Sequence, residues 1–237
     1  MGNIDDNIQA EKSGWTFSGQ LAEGFDNHVQ RSVPHYLDLH RLILNLSDFF
    51  VFPTSVVYDL GCSTGTLTRQ LALRVSEARP EARIIGVDIE PDMIAYASSN
   101  NTATNLEFNT ADVLSFEFEK SDLVILNLTL QFIHPSNRVH LLRRIWESLN
   151  WGGALVLVEK LRGSDARFQD IFSRLYHDFK QENGFSTDEI VAKERSLRGV
   201  LEPYSAKGNR QMLEAAGFED IEDVFRSIPF GAFLAIK

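Results

Sequence analysis

An apolar run that ends in an acid and then turns through glycines is the most chemically informative part of the sequence. Residues 56–65 read Val-Val-Tyr-Asp-Leu-Gly-Cys-Ser-Thr-Gly. Gly61 and Gly65 allow a close backbone approach to a ligand, and the turn places amide N–H groups at the start of a helix. A dinucleotide fingerprint would need glycine at Ser63 and Thr66, and a phosphate loop would need Gly-Lys-Ser/Thr. Taken alone, the run therefore fits either a structural turn or a ligand site of another kind.

Acids at the ends of the next two predicted strands indicate the ligand. Asp88 ends the run Ile84–Asp88 and lies 27 residues after Gly61. At this position a carboxylate can accept hydrogen bonds from both ribose hydroxyls of an adenosine group. Asp112, after the third strand, is placed to meet the exocyclic amine of adenine. With Asp59 at the end of the first strand, three acids predict an adenosine-binding edge.

Alternating strands and helices are expected to position these side chains. The predicted strands are Val56–Leu60, Arg83–Asp88, Leu106–Thr110, Asp122–Leu126 and Ala154–Glu159. Helices are predicted at Thr66–Ser76, Pro91–Asn100 and Ser136–Leu149, the last with a serine cap at Ser136. Segment Phe218–Lys237 should add two strands around Ser227–Pro229 as an antiparallel end to the sheet. The pattern predicts an α/β, doubly wound, Rossmann-like sheet.

Two helical segments do not belong to this core. Residues 15–50 are predicted to form N-terminal helices, with Pro34 in the first turn of the helix that runs to Phe50. Residues 162–200 are predicted to form a helical insertion, Phe168–Lys180 and Asp188–Arg198, broken at Asn183–Gly184. Both segments are expected to lie over the carboxyl ends of the strands as a lid, within a single domain spanning residues 1–237.

Composition narrows the classes of protein to which the chain can belong. It has 237 residues, of which 43% are hydrophobic and 24% charged, enough for one core. The net charge of −10 argues against direct binding of nucleic acid. The single cysteine, Cys62, excludes an intramolecular disulfide and any multi-cysteine metal site, and no metal is expected. The acidic N-terminus and the lack of a long apolar run predict a cytoplasmic protein without a membrane partner.

The strand-end pattern resembles the class I S-adenosylmethionine (SAM) dependent methyltransferases. Further motifs are similar to those of the carboxy-SAM synthase family: Val-Gln-Arg-Ser-Val-Pro-His-Tyr at 29–36, Tyr-Asp-Leu-Gly-Cys-Ser at 58–63, Leu-Asn-Leu-Thr-Leu-Gln-Phe at 126–132, Gly-Gly-Ala-Leu-Val-Leu at 152–157 followed by Glu159-Lys160, and His-Asp-Phe-Lys at 177–180 followed by Asn183-Gly184. The resemblance extends from about Trp15 to the C-terminus. It implies the seven-stranded methyltransferase fold, SAM as ligand and a homodimer.

The resemblance and the strand-end chemistry together assign candidate ligand contacts. Asn127 can offer a donor and an acceptor to the amino-acid part of SAM. The ring of Tyr36 can face the sulfonium, whose positive charge an aromatic face favours. Tyr176 is expected to act from the lid, with His177 as a possible base. The full set expected to bind SAM is Tyr36, Gly61, Cys62, Ser63, Asp88, Ile89, Asp112, Val113 and Asn127.

One position departs from the family pattern. Carboxy-SAM synthases hold the extra carboxylate with an arginine in a Lys-Arg-Ser segment, whereas this chain reads Lys193-Glu194-Arg195-Ser196. An ungapped match puts Glu194 at the arginine position, and one residue on a helix is a rotation of about 100°. Either Arg195 grips the carboxylate through a local offset, as a catalytic residue beside Tyr36 and Tyr176, or the substrate is different.

These observations predict an enzyme of the carboxy-SAM-synthase-like group that acts on SAM alone or with a small-molecule co-substrate. The reaction could be methyl transfer or conversion of SAM itself, including internal cyclisation that releases methylthioadenosine. One alternative is carboxy-SAM synthase activity, in which SAM and prephenate give carboxylated SAM for the modification of tRNA wobble uridine. Another is a non-catalytic subunit with a SAM fold.

Overall fold

The fold is an α/β sandwich built around one seven-stranded sheet. The computed structural model describes residues 21–101 and 103–237. The strands are β1 (Val56–Leu60), β2 (Arg83–Asp88), β3 (Leu106–Thr110), β4 (Ser121–Asn127), β5 (Leu149–Lys160), β6 (Asp220–Ser227) and β7 (Phe230–Ile236). Their order is β3-β2-β1-β4-β5-β7-β6, with β7 antiparallel to both of its neighbours. The predicted antiparallel end of the sheet is confirmed.

Eight helices are described. They are α1 (Leu21–Ser32), α2 (Tyr36–Phe50), α3 (Thr66–Ser76), α4 (Pro91–Ser99), α5 (Pro135–Ser148), α6 (Ala166–Glu182), α7 (Thr187–Ser196) and α8 (Ala206–Ala216), with a 3-10 turn at Leu130–Phe132. The part of the predicted N-terminal helices before residue 21 lies outside the described residues. No described helix combines the length and apolar character needed to cross a bilayer.

Both faces of the sheet are buried, because successive strand residues alternate between two apolar layers. In β1, Tyr58 and Leu60 pack on the layer that contains α5 and α8, whereas Val57 packs on the opposite layer with α2 and α3. Strand β5 alternates in the same way along residues 154–158. This double burial explains why the central strands read as continuous apolar runs.

Two local predictions were wrong, and one helix was not predicted. Pro34 lies in the turn before α2, which begins at Tyr36 after His35 in the left-handed conformation, φ 59°. Helix α5 begins at Pro135, so its cap is His134, whose side chain accepts a hydrogen bond from the Ser136 amide. Helix α8 was not predicted, although Ser205 caps it by accepting from the amide of Gly208. Its few apolar residues lie among polar ones, so their spacing alone does not distinguish a helix from a loop.

Arg138 joins the carboxyl side of the sheet to α5. It is 1% exposed, and its guanidinium donates to the carbonyl oxygens of Ile133, Glu202 and Gln131 at 2.7, 2.8 and 3.1 Å. Its charge also opposes the effect of burial on Glu159, whose pKa burial raises to about 8. A buried arginine with three carbonyl partners fixes the loops after β4 and before α8.

Arg138→Met is expected to lower the free energy of unfolding by about 3 kcal/mol, because a buried guanidinium loses its hydrogen bonds to three carbonyl oxygens. The matched control is Arg143→Met on the same helix, where an exposed arginine donates to one carbonyl oxygen, that of Ala215. The control should cost less than about 1 kcal/mol. Urea unfolding of both variants measures the difference, and equal losses would contradict the assigned role.

Candidate functional site

A large cavity opens at the carboxyl ends of the parallel strands, where β1 and β4 lie side by side. From β1 the chain continues towards one edge of the sheet, and from β4 it continues towards the other. The cavity has a volume of 1510 Å³. Open α/β sheets bind ligands at this switch point. The cavity walls come from α1, the start of α2, the turns after β1 to β5, and the inserted helices α6 and α7. Both predicted lid segments therefore line one cavity.

The turn after β1 is bound to the neighbouring strand β2. The amides of Gly61 and Cys62 both donate to the carbonyl of Val87, at 2.7 and 3.1 Å. Gly61 has φ 76°, and a side chain there would overlap Thr129. Ser63 also adopts positive φ, 53°, and its amide donates to Asp88 Oδ2 at 2.8 Å. The glycine turn and the acid of the second strand are thus one hydrogen-bonded unit.

The two predicted adenosine acids differ in environment. Asp88 accepts backbone hydrogen bonds on both oxygens, from Ser63 and, at 3.0 Å, from Glu90, and burial raises its pKa. Asp112 is exposed, and its Oδ1 accepts from the amide of Leu114 at 2.9 Å. Each carboxylate oxygen can accept a second hydrogen bond, so both acids retain capacity for a ligand.

Asp59 is a site residue to which the sequence analysis gave no role of its own. It lines the cavity, is 2% exposed, and accepts a hydrogen bond from Thr68 Oγ1 at 2.6 Å. Burial raises its pKa to about 6, the Thr68 hydrogen bond opposes this, and the charge of Asp88 adds to it. A buried carboxylate with a raised pKa attracts a cationic ligand that restores its charge.

Asn127 presents a free acceptor at the end of β4. His40 approaches Gln70 Oε1 through Nδ1 at 3.3 Å, so Nδ1 carries the proton and Nε2 accepts from Asn127 Nδ2 at 3.5 Å. Asn127 Oδ1 then points away from His40, and it is buried without a hydrogen-bond partner among the described residues. Burial lowers the pKa of His40 and keeps it neutral. A buried, unpaired acceptor that lines a cavity suits an N–H donor of a ligand.

Tyr36 lies over the same region. Its ring centroid is 4.3 Å from that of His40, and burial, with the nearby charges of Asp26 and Asp59, raises the pKa of its hydroxyl. The ring is therefore a neutral aromatic wall between the N-terminal helices and the glycine turn. Tyr36 lines the cavity, and its contact with the sulfonium stays a prediction.

Helix α1 closes the cavity above the glycine turn. Asp26 accepts hydrogen bonds from the hydroxyls of Thr64 and Thr66, at 2.7 and 2.5 Å. Asp26 could not be predicted from the sequence, because it lies 38 residues from Thr64 and no local pattern connects the two.

The insertion contributes a different set of groups. Tyr176 lines the cavity and is buried, and its hydroxyl donates to the carbonyl of Ser32 at 2.9 Å, so the hydroxyl joins α6 to the end of α1. Glu194 also lines the cavity, and its Oε1 is 2.5 Å from His177 Nε2. His177 therefore has a partner in the lid.

Arg195 is exposed and lies outside the cavity wall. The residues of α7 and the following turn that line the cavity are Lys193, Glu194, Leu197 and Arg198, spaced three and four apart along one face. Arg195 occupies the adjacent face, so the one-residue offset considered for it is not found. All nine expected SAM contacts and Tyr176 line the cavity, whereas Arg195 does not.

The described residues contain no group of three or more His, Cys, Asp or Glu side chains arranged to hold a metal ion.

Known proteins with a similar fold include methyltransferases. Residues 57–153 match the family model "Methyltransferase domain". Human N-acetylserotonin methyltransferase in complex with SAM superposes with a TM-score of 0.57 at 22% identity, over 84% of this chain and 51% of that one. The plantazolicin methyltransferase BpumL gives 0.62 at 16% identity, over 91% of this chain and 88% of that one. The fold is that of the SAM-dependent methyltransferases.

Sequence relatives define the family more closely. Carboxy-S-adenosyl-L-methionine synthase of Staphylococcus epidermidis is 38% identical over 94% of this chain and 97% of that protein. The Klebsiella pneumoniae enzyme of the same name is also 38% identical, over 94% and 91%, and that of Yersinia pestis 37%, over 96% and 86%. The chain belongs to the carboxy-SAM synthase family.

Removal of the Thr68 hydroxyl tests the electrostatics of the buried acid. In Thr68→Val, the pKa of Asp59 should rise above its value of about 6, because this hydrogen bond favours the charged carboxylate. NMR titration of the Asp59 side-chain carboxyl carbon measures the shift. An unchanged or lowered pKa would mean that another group sets the charge of Asp59.

Proposed function

We propose that this enzyme binds SAM in the cavity and converts it by internal displacement, without a second substrate. The main support for the proposal is the charge that the lid presents to the cavity. Helix α7 presents Glu194, hydrogen-bonded to His177, to the cavity, and turns Arg195 outward. An anion at this position repels the carboxylate of a co-substrate when water is excluded. SAM also carries a carboxylate, but its sulfonium and ammonium groups make it a net cation, so Glu194 opposes SAM less than it opposes an anionic co-substrate.

The cavity offers polar groups for both ends of SAM. In this proposal Asp88 accepts from the ribose hydroxyls, Asp112 accepts from the adenine amine, and the backbone of the glycine turn supports the methionine part. Asn127 Oδ1, buried and without a partner, accepts from the ammonium group. Tyr36 lies against the sulfonium, where its aromatic face favours positive charge. Cys62, Ile89 and Val113 complete the wall.

The proposed chemistry balances without a metal. In this proposal the α-ammonium group of SAM gives one proton to the buried carboxylate of Asp59, which lines the cavity. The nitrogen lone pair then forms a bond to the γ carbon, the bond from that carbon to sulfur breaks, and its electron pair remains on sulfur. The products are methylthioadenosine and a four-membered cyclic amino acid. Held in line in a closed cavity, the two ends of one molecule react at high effective concentration.

A second candidate is carboxy-SAM synthase activity. It is favoured by relatives of that name at 37–38% identity and by two lysines, Lys160 and Lys180, that line the cavity. Methyl transfer to a small acceptor is a third candidate. Membership of this enzyme family argues against a non-catalytic subunit. The homodimer, the cytoplasmic location and the lack of direct nucleic-acid binding stay predictions.

The products formed from SAM distinguish these reactions. We expect purified protein and SAM alone to give methylthioadenosine and the cyclic amino acid in equal amounts by mass spectrometry. A sample without enzyme is required, because SAM also breaks down slowly in solution, and the cyclic amino acid rather than methylthioadenosine is the decisive product. Carboxylated SAM formed only when prephenate is added would overturn the proposal and establish the second candidate.

Loss of the ribose contacts tests the binding mode separately. Asp88→Ala is expected to weaken SAM binding at least about tenfold, or about 1.4 kcal/mol, because charge-assisted hydrogen bonds are lost. Asp88→Asn keeps one acceptor oxygen and should fall between this variant and the parent protein. Asp38→Ala, at an exposed acid paired with Arg41, is the control and should bind normally. Calorimetry gives the three affinities, and parent-like binding by Asp88→Ala would exclude the ribose assignment.

A further inference from the structure

Two lysines converge on one aromatic ring at the lid end of the cavity. Lys160 is the last residue of β5, and Lys180 lies near the end of α6. Their Nζ atoms are 4.6 and 4.2 Å from the ring centroid of Tyr176, and both side chains line the cavity. Lys180 is only 7% exposed. Two ammonium groups are thus held close together where little water reaches them.

Neither ammonium group has a salt-bridge partner among the residues that the structure describes. Glu194 is the acid whose charge acts on both, but its carboxylate is hydrogen-bonded to His177. The hydroxyl of Tyr176 is bound to Ser32, and burial raises the pKa of this tyrosine, so the ring stays neutral. The aromatic ring compensates each cation only in part.

The pKa values of the two lysines show that their charged forms are unfavourable in this environment. Burial lowers the pKa of both, and for Lys180 burial and then the charge of Lys160 lower it to about 8. Buried like charges are stable when a counter-ion lies between them. One negative charge, that of Glu194, acts on two positive ones, which leaves an excess of one positive charge facing the cavity.

We propose that Lys160 and Lys180 form a carboxylate-binding subsite at the lid end of the cavity. A carboxylate bound there accepts hydrogen bonds from both ammonium groups and balances the remaining charge. The source of the carboxylate rests on the proposed function. If SAM reacts alone, the carboxylate is that of its own methionine part, which fixes the amino-acid end during displacement. If a co-substrate takes part, the carboxylate belongs to that molecule.

The first arm compares SAM with decarboxylated SAM, which lacks only the carboxylate. Lys180→Met is expected to weaken SAM binding at least about tenfold and to change the affinity for decarboxylated SAM less than about twofold. Lys160→Met should behave in the same way, which guards against a folding defect in one variant. Lys207→Met, at an exposed position of α8, is the control. Isothermal titration calorimetry gives all the affinities.

A second arm adds prephenate to SAM-saturated protein. Loss of prephenate binding in both lysine variants, with SAM binding unchanged, would support the subsite and assign its carboxylate to a co-substrate. Unchanged binding of SAM, decarboxylated SAM and prephenate in both variants would overturn the proposal. An equal loss for SAM and decarboxylated SAM would also overturn it, because packing rather than charge would then be responsible. None of these outcomes depends on which product the enzyme forms.

Proton uptake provides an independent measurement. Tyr176 of α6 contacts both lysines, and the charge of Glu194 of α7 acts on both, while that of Lys160 acts on Lys180. Lys193 of α7 lines the same cavity, and His177 of α6 is hydrogen-bonded to Glu194. A bound carboxylate raises the pKa of Lys180 from about 8, so binding at pH 8 should take up protons, and SAM affinity should fall as pH rises further. In Lys180→Met this pH dependence should be smaller. Calorimetry in buffers of different ionisation enthalpy counts the protons, and equal uptake by the variant and the parent protein would contradict the subsite.

Discussion

The attachment of the glycine turn to β2 is the constraint on which the rest of the site depends. Two amides of the turn bind one carbonyl of β2, and a third binds the carboxylate of Asp88. Because these bonds fix the end of β1 against the end of β2, they also fix the distance between the acid of the second strand and the crevice beside β4. The left-handed backbone at Gly61 is required for this path, since any side chain there would meet Thr129.

The charges around the cavity are divided between its two ends. Four acids of the described residues, Asp59, Asp88, Glu90 and Asp112, line the side formed by the first three strands. The end of β5 and the insertion contribute five basic side chains, Lys160, Arg162, Lys180, Lys193 and Arg198, and one acid, Glu194. A ligand with hydroxyls and amines at one end and a carboxylate at the other matches this division. The overall charge of −10 conceals it completely.

The sequence predicted the sheet well because its signals are local. Strand ends are marked by apolar runs that stop at Asp59, Asp88 and Asn127, and parallel strands bring such ends to one edge. The groups that could not be predicted from the sequence depend on contacts between residues far apart in the chain. Asp26 meets the glycine turn only because α1 folds over it, and the side-chain amide of Asn127 at the end of β4 contacts His40 from helix α2. Helix α8 was missed because its amphipathic pattern is short.

The orientation of α7 shows why one residue of register decides the chemistry. Glu194 and Arg195 are neighbours in sequence and opposite in charge, so the sequence alone left two possible lids. In the structure, Glu194 approaches His177 of α6, while Arg195 points to solvent. A one-residue rotation would replace a negative charge in the cavity by a positive one, a change of two units beside Lys160 and Lys180. Because the charge at this position acts on both lysines, the packing of α7 on α6 would decide which anions the proposed subsite accepts.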